Sequence, residues 1–521
     1  MSGVARTRGV VLLGVDGHVI GVEAHISIGV SGFSVVGMAD KLVGEARDRC
    51  RSAVINTGLD WPGPRNTVGL SPAELPKRGP TLDLAIALAL LSASGQVPGD
   101  AAAELVVVGE LGLDGRVRPV RGALVAALAA RDAGARRLVV PSANVDEAAL
   151  VPGLEVHGVR TLAGLVALVR GDAVPDIELD GAHDDLPPPP PAHDVPDLVD
   201  VRGQHAARSA LELAAAGGHH LAMSGSPGVG KTMLAERLPG LLPPLDEQAA
   251  LEVTAIHSVA GRLATGGRLI TVPPFEAPHH TATHAAMVGG GSGVPRIGLV
   301  SLAHRGVLFL DEAPEFDASA LEALRQPLES GVMLVARSAF SVRFPARFHL
   351  ILAMNPCPCG RGDSGLSSSS SPACVCTPQQ RRRYLARISG PLLDRIDLRV
   401  SLVRPTLADL EFGSSDAEPT SAVADRVRAA RERAARRYRD TPWRVNAEVP
   451  GPVVRRQFGL DADAAVPLDT ALSRGFISAR GADRVVRVAW TLADLAGRSQ
   501  PSRSDIGAAL HHRDGGTSWA A

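Results

Sequence analysis

The chain has 521 residues, a formal net charge of −1 and a hydrophobic fraction of 45%, so it is long enough for about three domains with cores of their own. Without excess positive charge, any contact with nucleic acid must come from a local patch, and at 3% aromatic residues a broad base-stacking surface is not expected. No apolar run approaches the length of a membrane span, no signal peptide is recognisable, and five cysteines are too few for a disulfide framework, so we expect a soluble, cytoplasmic protein.

Residues 1–172 alternate between strand-like and helix-like segments and predict an α+β domain. Apolar runs at Val106–Val108 and Leu138–Val140 predict buried strands, and the patterns of Leu82–Leu91 and Gly122–Ala133 predict helices. A hairpin is predicted to turn at Asp114-Gly115. Residues 173–197 form a proline-rich linker with five consecutive prolines at 187–191, which favour an extended spacer.

A complete phosphate-binding loop lies near the start of the second predicted domain, residues 198–410. It is formed by Gly225, Ser226, Pro227, Gly228, Val229, Gly230, Lys231 and Thr232. An apolar strand precedes the loop and a helix follows it, as the motif requires. The glycines let backbone N–H groups approach phosphates, Lys231 is expected to reach the β- and γ-phosphates of ATP, and Thr232 to bind Mg²⁺. The chain contains only three lysines, which argues against a chance match.

Two further apolar runs end in polar residues. Val307–Leu310 is followed by Asp311 and Glu312, of which the first is expected to hold Mg²⁺, directly or through water, and the second to orient and polarise the attacking water. The run that starts at Phe348 ends at Asn355, whose amide either simply ends the strand or faces the same site.

Four of the five cysteines fall in one loop, as the pairs Cys357, Cys359 and Cys374, Cys376 around a segment rich in glycine and serine. Four thiolates could bind one structural Zn²⁺ tetrahedrally. The metal would then cross-link a loop whose glycines and serines would not otherwise pack. Reduced thiols without a metal are the alternative. Cys50 is expected to be an ordinary core residue.

The segment 389–398 (SGPLLDRIDL) places Arg395 between Asp394 and Asp397. The arginine is therefore either part of a local ion pair or an arginine finger that reaches the nucleotide of the next subunit. The third predicted domain, residues 411–521, is helical. It contains a helix at 422–440 with arginines on every side, which favours a solvated helix at least as much as a DNA surface, and Ser478 is a predicted N-cap just before Arg480.

Taken together, several motifs resemble those of the magnesium-chelatase-like ComM/YifB family of AAA+ ATPases. The motifs lie at 200–204 (DVRGQ), 277–281 (APHHT), 344–348 (FPARF), 355–360 (NPCPCG) and 389–397. Residues 77–85 and 109–115 resemble a Lon-protease-like domain of the S5 domain 2 type. The resemblance implies an α/β fold class, with a P-loop AAA+ core of magnesium-chelatase type, an α+β Lon/S5-like N-terminal domain and a C-terminal helical lid domain.

The resemblance also implies roles for several residues. Asn355 would help to place the attacking water, Arg395 would be the finger acting between subunits, and Arg480 would be a second sensor that touches the γ-phosphate. Arg337 and Arg343 lie on a hairpin at 333–347 that in related motors points into the pore, although arginines on a solvated hairpin are an equal alternative. The implied assembly is a hexameric ring of identical subunits that hydrolyses ATP with Mg²⁺ and drives branch migration of DNA recombination intermediates as a helicase.

The chain departs from the resembled proteins at three places. The serine nucleophile of a Lon-type peptidase falls on Thr81 and its lysine base near Leu124, and because leucine cannot act as a base we predict no peptidase activity. Glu276 stands where an arginine usually precedes the APHH motif, which removes an expected anion contact.

Other functions remain open from the sequence. A MoxR/chelatase-like AAA+ chaperone that remodels a protein would share the whole ATPase core. Stimulation of ATP hydrolysis by DNA would distinguish the DNA motor from such a chaperone. A catalytically inactive scaffold is disfavoured by the intact set of motif residues. His279, His280 and His284 suggest a metal site, but no acid or cysteine completes one locally, so polar contacts near the pore or the nucleotide are preferred.

Overall fold

The structure is a computed structural model that describes residues 3–77, 79–173, 195–263, 267–291, 295–336, 341–361, 374–404 and 417–514. The run of prolines at 187–191, Arg337 and most of the loop between the two cysteine pairs lie outside these residues. No helix among the described residues is long and apolar enough to cross a lipid bilayer.

The first part of the chain builds a mixed seven-stranded sheet with the order β3-β4-β2-β1-β5-β8-β9. The strands of this sheet are β1 (Gly3–Leu13), β2 (Asp16–Ser27), β3 (Gly32–Val36), β4 (Arg65–Ser71), β5 (Leu105–Val107), β8 (Arg137–Pro141) and β9 (Glu155–Val159), while β6 (Glu110–Leu111) and β7 (Val117–Arg118) pair separately. The helices are α1 (Asp40–Asn56), α2 (Asp83–Ala93), α3 (Gly99–Glu104), α4 (Ala123–Asp132), α5 (Val145–Ala148) and α6 (Leu162–Arg170).

The sequence patterns of this part are confirmed. Helix α2 is apolar on all sides because it is buried on all sides, between β1 and β2 and the helix α1. The strands β6 and β7 form the predicted hairpin, pairing Leu111 with Val117, and Gly115 in its turn has a φ of +85°, which glycine adopts without strain.

The central part builds a parallel five-stranded sheet with the order β11-β14-β17-β10-β18. Its strands are β10 (Leu221–Ser224), β11 (Phe275–Glu276), β14 (Val307–Leu310), β17 (His349–Met354) and β18 (Leu398–Ser401). Because the strands are parallel, their carboxyl ends meet at one edge. That edge carries the loop after β10 and the polar residues after β14 and β17.

Ten helices and two small hairpins of the described residues surround this sheet. The helices are α7 (His205–Gly217), α8 (Lys231–Ala235), α9 (Leu238–Leu241), α10 (Glu247–Ala260), α11 (His284–Val288), α12 (Leu299–Leu302), α13 (Ala318–Ala323), α14 (Arg325–Ser330), α15 (Pro378–Leu385) and α16 (Gly390–Leu393). The hairpins pair β12 (Gly289–Gly290) with β13 (Arg296–Ile297) and β15 (Val332–Ala336) with β16 (Ser341–Pro345).

The last part is helical and packs on α7 and β18. Its helices are α17 (Thr420–Arg437), α18 (Gly451–Gln457), α19 (Ala462–Ser473), α20 (Ala479–Leu495) and α21 (Arg503–Asp514). The predicted N-cap is confirmed, since the Ser478 side chain accepts a hydrogen bond from the Gly481 amide over 3.1 Å.

Contacts between the N-terminal and central parts include two packed regions. At one, the turn between β1 and β2 meets the β15–β16 hairpin, where Leu13 and Val15 pack against the cluster that contains Val342 and Phe344, and a side chain at Gly14 would collide with Val342. At the other, α4 packs on α10.

Candidate functional site

The phosphate-binding loop joins β10 to α8, as predicted. Gly228 and Gly230 have φ values of +79° and +98°, a backbone that glycine adopts readily and other residues do not. The side chain of Lys231 is mostly buried and donates hydrogen bonds to the carbonyl oxygens of Gly225 (2.7 Å) and Ser226 (3.1 Å). Its ammonium group is thus held at the centre of the loop.

Five predicted residues line one cavity of about 380 Å³ at this sheet edge: Lys231, Thr232, Asp311, Glu312 and Asn355. The Lys231 ammonium also donates to Asn355 Oδ1 over 3.1 Å, so the asparagine faces the loop rather than only ending its strand. Parallel strand ends therefore bring together residues that are far apart in sequence, in the manner of nucleotide sites in α/β folds.

Two side chains with oxygen atoms that could hold a divalent cation lie next to each other. The Thr232 hydroxyl donates to Asp311 Oδ2 over 2.9 Å, and the other carboxylate oxygen accepts the Glu312 amide over 2.9 Å. A hydroxyl and a carboxylate next to a phosphate loop are the hard oxygen donors that Mg²⁺ prefers. The residues present therefore fit the expected magnesium ion.

Glu312 has a strained backbone, with a φ of +50°. Such a conformation costs a non-glycine residue about 1–3 kcal/mol and is concentrated at functional sites. Its carboxylate lies 3.4 Å from Nδ1 of His280. This contact, which the sequence did not predict in detail, agrees with the preferred interpretation of the APHH histidines as polar contacts near the nucleotide.

The two remaining histidines of this region are His279 and His284. The ring of His279 is hydrogen-bonded to the Thr281 hydroxyl at 2.9 Å, and His284 is the first residue of α11. Within the described ranges, no group of three potential ligands that includes these histidines lies close enough to hold a metal. Glu276, which replaces an expected arginine, accepts a hydrogen bond from Arg262 over 2.8 Å.

Arg395 and Arg480 line a different cavity, of about 920 Å³, together with Arg484 and Arg487. The Arg395 guanidinium donates to the Pro391 carbonyl over 2.6 Å and forms an ion pair with Glu329. Within one subunit these two predicted residues are thus grouped with each other and not with the phosphate loop.

The acids that flank Arg395 do not hold it. Asp397 is buried and pairs with Arg484 over 2.5 Å, and although burial opposes it, Arg484 and His219 keep the pKa of Asp397 well below its usual value. Asp394 pairs with Arg513 over 2.7 Å. The interpretation of a local ion pair with these acids is therefore wrong, because both turn toward the C-terminal helices.

The four cysteines converge, as the spacing predicted. Their sulfur atoms all lie within 4.8 Å of one another, with separations that include 3.3 Å between Cys357 and Cys359 and 3.5 Å between Cys359 and Cys374. A disulfide needs about 2.05 Å, whereas sulfurs at the corners of a tetrahedron around Zn²⁺ are roughly 3.8 Å apart for a Zn–S bond of about 2.3 Å. Cys50, by contrast, is fully buried in the N-terminal core.

The N-terminal domain shows no base at the position expected for a peptidase. Leu124 is fully buried in α4, and its amide donates to Glu147 Oε1 over 2.9 Å. Lys77, which is also buried, donates to the carbonyl oxygens of Pro72 and Leu75. Asp83 pairs with Arg49, and burial raises its pKa to about 6.

Comparison with known proteins covers nearly the whole chain. Three family models match: magnesium chelatase subunit ChlI at residues 197–410, subunit ChlI of Mg-chelatase at 22–144, and the ChlI C-terminal region at 417–513. A protein of Mycobacterium tuberculosis is 52% identical over 98% of this chain and 99% of its own. YifB of Escherichia coli is 40% identical over 96% of this chain and 95% of its own, and the competence protein ComM of Haemophilus influenzae is 38% identical over 96% of each.

Proposed function

Because the chain belongs to the ComM/YifB family of magnesium-chelatase-like AAA+ proteins, we propose that it is an ATPase whose subunits form a ring motor that acts on DNA, as a branch-migration helicase. The observation that carries the ATPase is the convergence of Lys231, Thr232, Asp311, Glu312 and Asn355 on one cavity. This is the set of groups that phosphoryl transfer to water requires.

The chain's own residues account for the reaction as follows. Lys231 exchanges its carbonyl partners for the β- and γ-phosphates of ATP. Glu312 orients the attacking water and accepts its proton, while Asn355 keeps that water in line with the γ-phosphate. Thr232 and Asp311 would hold Mg²⁺, which, when bound, neutralises charge that develops on the phosphate oxygens.

The separation of Arg395 from the phosphate loop supports a ring. Arg395 and Arg480 both line the 920 Å³ cavity, and guanidinium groups are frequent partners of phosphate. In the proposed assembly, a hexamer, this cavity faces the nucleotide held by the neighbouring subunit. Arg395 and Arg480 then complete that nucleotide's site from outside.

The contact with DNA is proposed for the β15–β16 hairpin. Arg343 is exposed on β16, whereas its neighbours Val342 and Phe344 are buried against the rest of the protein. The guanidinium therefore points away from the core and can follow a phosphate backbone. The name of the relative ComM, a competence protein, is a second reason to test DNA first.

We expect the protein to migrate a synthetic four-way DNA junction with ATP and Mg²⁺, and DNA to stimulate its hydrolysis. Lys231→Ala should lose both activities, whereas Arg343→Glu should keep basal hydrolysis and lose DNA stimulation, because only the second change reverses charge on the proposed DNA surface. As a matched control, Arg47→Glu reverses charge at an exposed site of α1 and should change neither.

Hydrolysis without stimulation by any DNA, and without migration, would contradict the DNA motor. It would favour the second candidate, a MoxR/chelatase-like chaperone that remodels a protein partner. The shared ATPase core is compatible with both.

We also propose that the four-cysteine cluster binds one Zn²⁺. The purified full chain should contain about one zinc per subunit, bound tetrahedrally, and cobalt substitution should give the visible absorption of tetrahedral thiolate coordination. Cys359→Ser should lower the zinc content, whereas Cys50→Ala should not. A metal content near zero in protein purified without chelators, with four titratable thiols, would leave reduced cysteines as the state of the cluster.

A further inference from the structure

The cysteine cluster adjoins the nucleotide site along the chain and in space. Cys357 follows Asn355 by two residues and is fully buried. At the start of the loop, the Gly360 amide donates to the Cys357 carbonyl over 2.9 Å and closes a tight turn. The first cysteine pair therefore fixes the backbone that leaves Asn355.

That turn rests on the phosphate-binding loop. A Cβ placed on Gly360 would lie 2.7 Å from both Cγ and Cδ of Pro227, and Gly360 has a φ of +74°. Glycine is therefore needed twice, for its backbone conformation and for the close approach. Pro227 is part of the loop that surrounds the Lys231 ammonium, so the turn lies directly against the phosphate loop.

The second cysteine pair leads into a helix that returns to the same asparagine. Thr377, directly after Cys376, begins α15 with a capping box in which Thr377 and Gln380 each bond the other's backbone. Tyr384 near the other end of α15 is buried. Burial raises the pKa of its hydroxyl to about 12, and the backbone of Asn355 lies near enough to oppose that shift. Both cysteine pairs thus connect to Asn355, one through the chain and one through α15.

We propose that a zinc ion in the cluster fixes the nucleotide site, so that affinity for nucleotide depends on zinc occupancy. Joining the two cysteine pairs through one metal holds the Gly360 turn against Pro227 and Tyr384 against Asn355 at the same time. Without the metal, only weak thiol contacts connect the pairs, and the segments that support the phosphate loop and Asn355 separate. This inference rests on the proposed ATP and zinc sites and makes the second a regulator of the first.

The test uses the full chain and a fluorescent ADP analogue as the probe. Zinc is removed with a chelator, the chelator is dialysed away, Mg²⁺ is restored, and affinity is measured before and after zinc is added back. We expect removal of zinc to raise the dissociation constant of the analogue at least about 10-fold. Adding zinc back should restore binding. Cys50→Ala serves as a thiol control that should behave like the wild type.

A second variant tests the coupling without removing the metal. Gly360→Ala should keep its zinc but bind the analogue more weakly, because the new methyl group pushes the turn away from Pro227. If the zinc-free protein unfolds, this variant still decides the question by its affinity.

Each failure has a distinct signature. The purified protein could contain stoichiometric zinc and yet bind the analogue equally well after zinc is removed, or equally well in Gly360→Ala. Either result would overturn the coupling and leave the zinc site standing. Nucleotide binding with no zinc in the purified protein would overturn both zinc proposals and leave the ATPase standing. Absence of any nucleotide binding in zinc-loaded wild type would overturn the ATPase itself.

Discussion

Lys231→Ala should lower ATP turnover by at least about 100-fold, the usual cost of removing one charged group that stabilises a transition state. In the structure the ammonium is already centred in the loop by the carbonyl oxygens of Gly225 and Ser226 and by Asn355. Alanine removes the positive charge that is expected to bind the phosphates of ATP. It also leaves these three oxygen atoms without their hydrogen-bond donor. Phosphate release with ATP and Mg²⁺ measures the effect.

The chain offers a matched control. Lys77 is also buried and also donates to backbone carbonyl oxygens, but in the N-terminal domain. Lys77→Ala should lower the unfolding temperature and leave turnover per folded protein within about a factor of two, since it removes local hydrogen bonds only. If Lys231→Ala retained more than a tenth of wild-type turnover, the proposed nucleotide site would be wrong.

Arg395→Ala should reduce turnover by about 10³-fold, the scale of an arginine finger, and change nucleotide affinity little. The reason is geometric. Arg395 lines the 920 Å³ cavity, whereas the phosphate loop lines another, so within one subunit the arginine is not grouped with the phosphate loop. Turnover and binding of a fluorescent nucleotide, measured on the same preparation, separate catalysis from affinity.

Mixing two inactive variants tests whether the arginine acts between subunits. In the proposed ring, an interface is complete when one subunit supplies Lys231 and its neighbour supplies Arg395. Mixed rings of Lys231→Ala and Arg395→Ala therefore contain some complete interfaces, and their turnover should rise well above that of either variant alone. Mixtures that remain as inactive as the separate variants, while still assembling, would show that Arg395 is not shared in this way.

Much of the nucleotide site could be predicted because its residues follow short apolar strands. Asp311 and Asn355 stand immediately after β14 and β17, and parallel strands place such positions at one edge. The cysteine cluster could be predicted for a similar reason, since all four cysteines lie within one loop. In both cases the local sequence indicates where each residue lies along the chain. For the strand ends, the parallel order of the sheet then brings the residues together.

The partners of Arg395 and of its flanking acids could not be predicted, because they lie far away in the sequence. Arg395 contacts Glu329, which is 66 residues away, and its two flanking acids bind Arg484 and Arg513 of helices much later in the chain. Likewise, the contact of His280 with Glu312 depends on how β11 lies beside β14. Such pairs depend on tertiary packing, which a single sequence does not encode in any local pattern.

The contact between the β1–β2 turn and the β15–β16 hairpin bears on how the protein can be divided into fragments. A fragment that begins at residue 195 would lose Leu13 and Val15 and leave Val342 and Phe344 with one apolar side open to water. A two-stranded hairpin is only marginally stable in water by itself. In the fragment the hairpin would therefore be less stable and would expose apolar side chains that favour aggregation. The N-terminal part therefore covers one apolar side of a hairpin that belongs to the central part of the molecule.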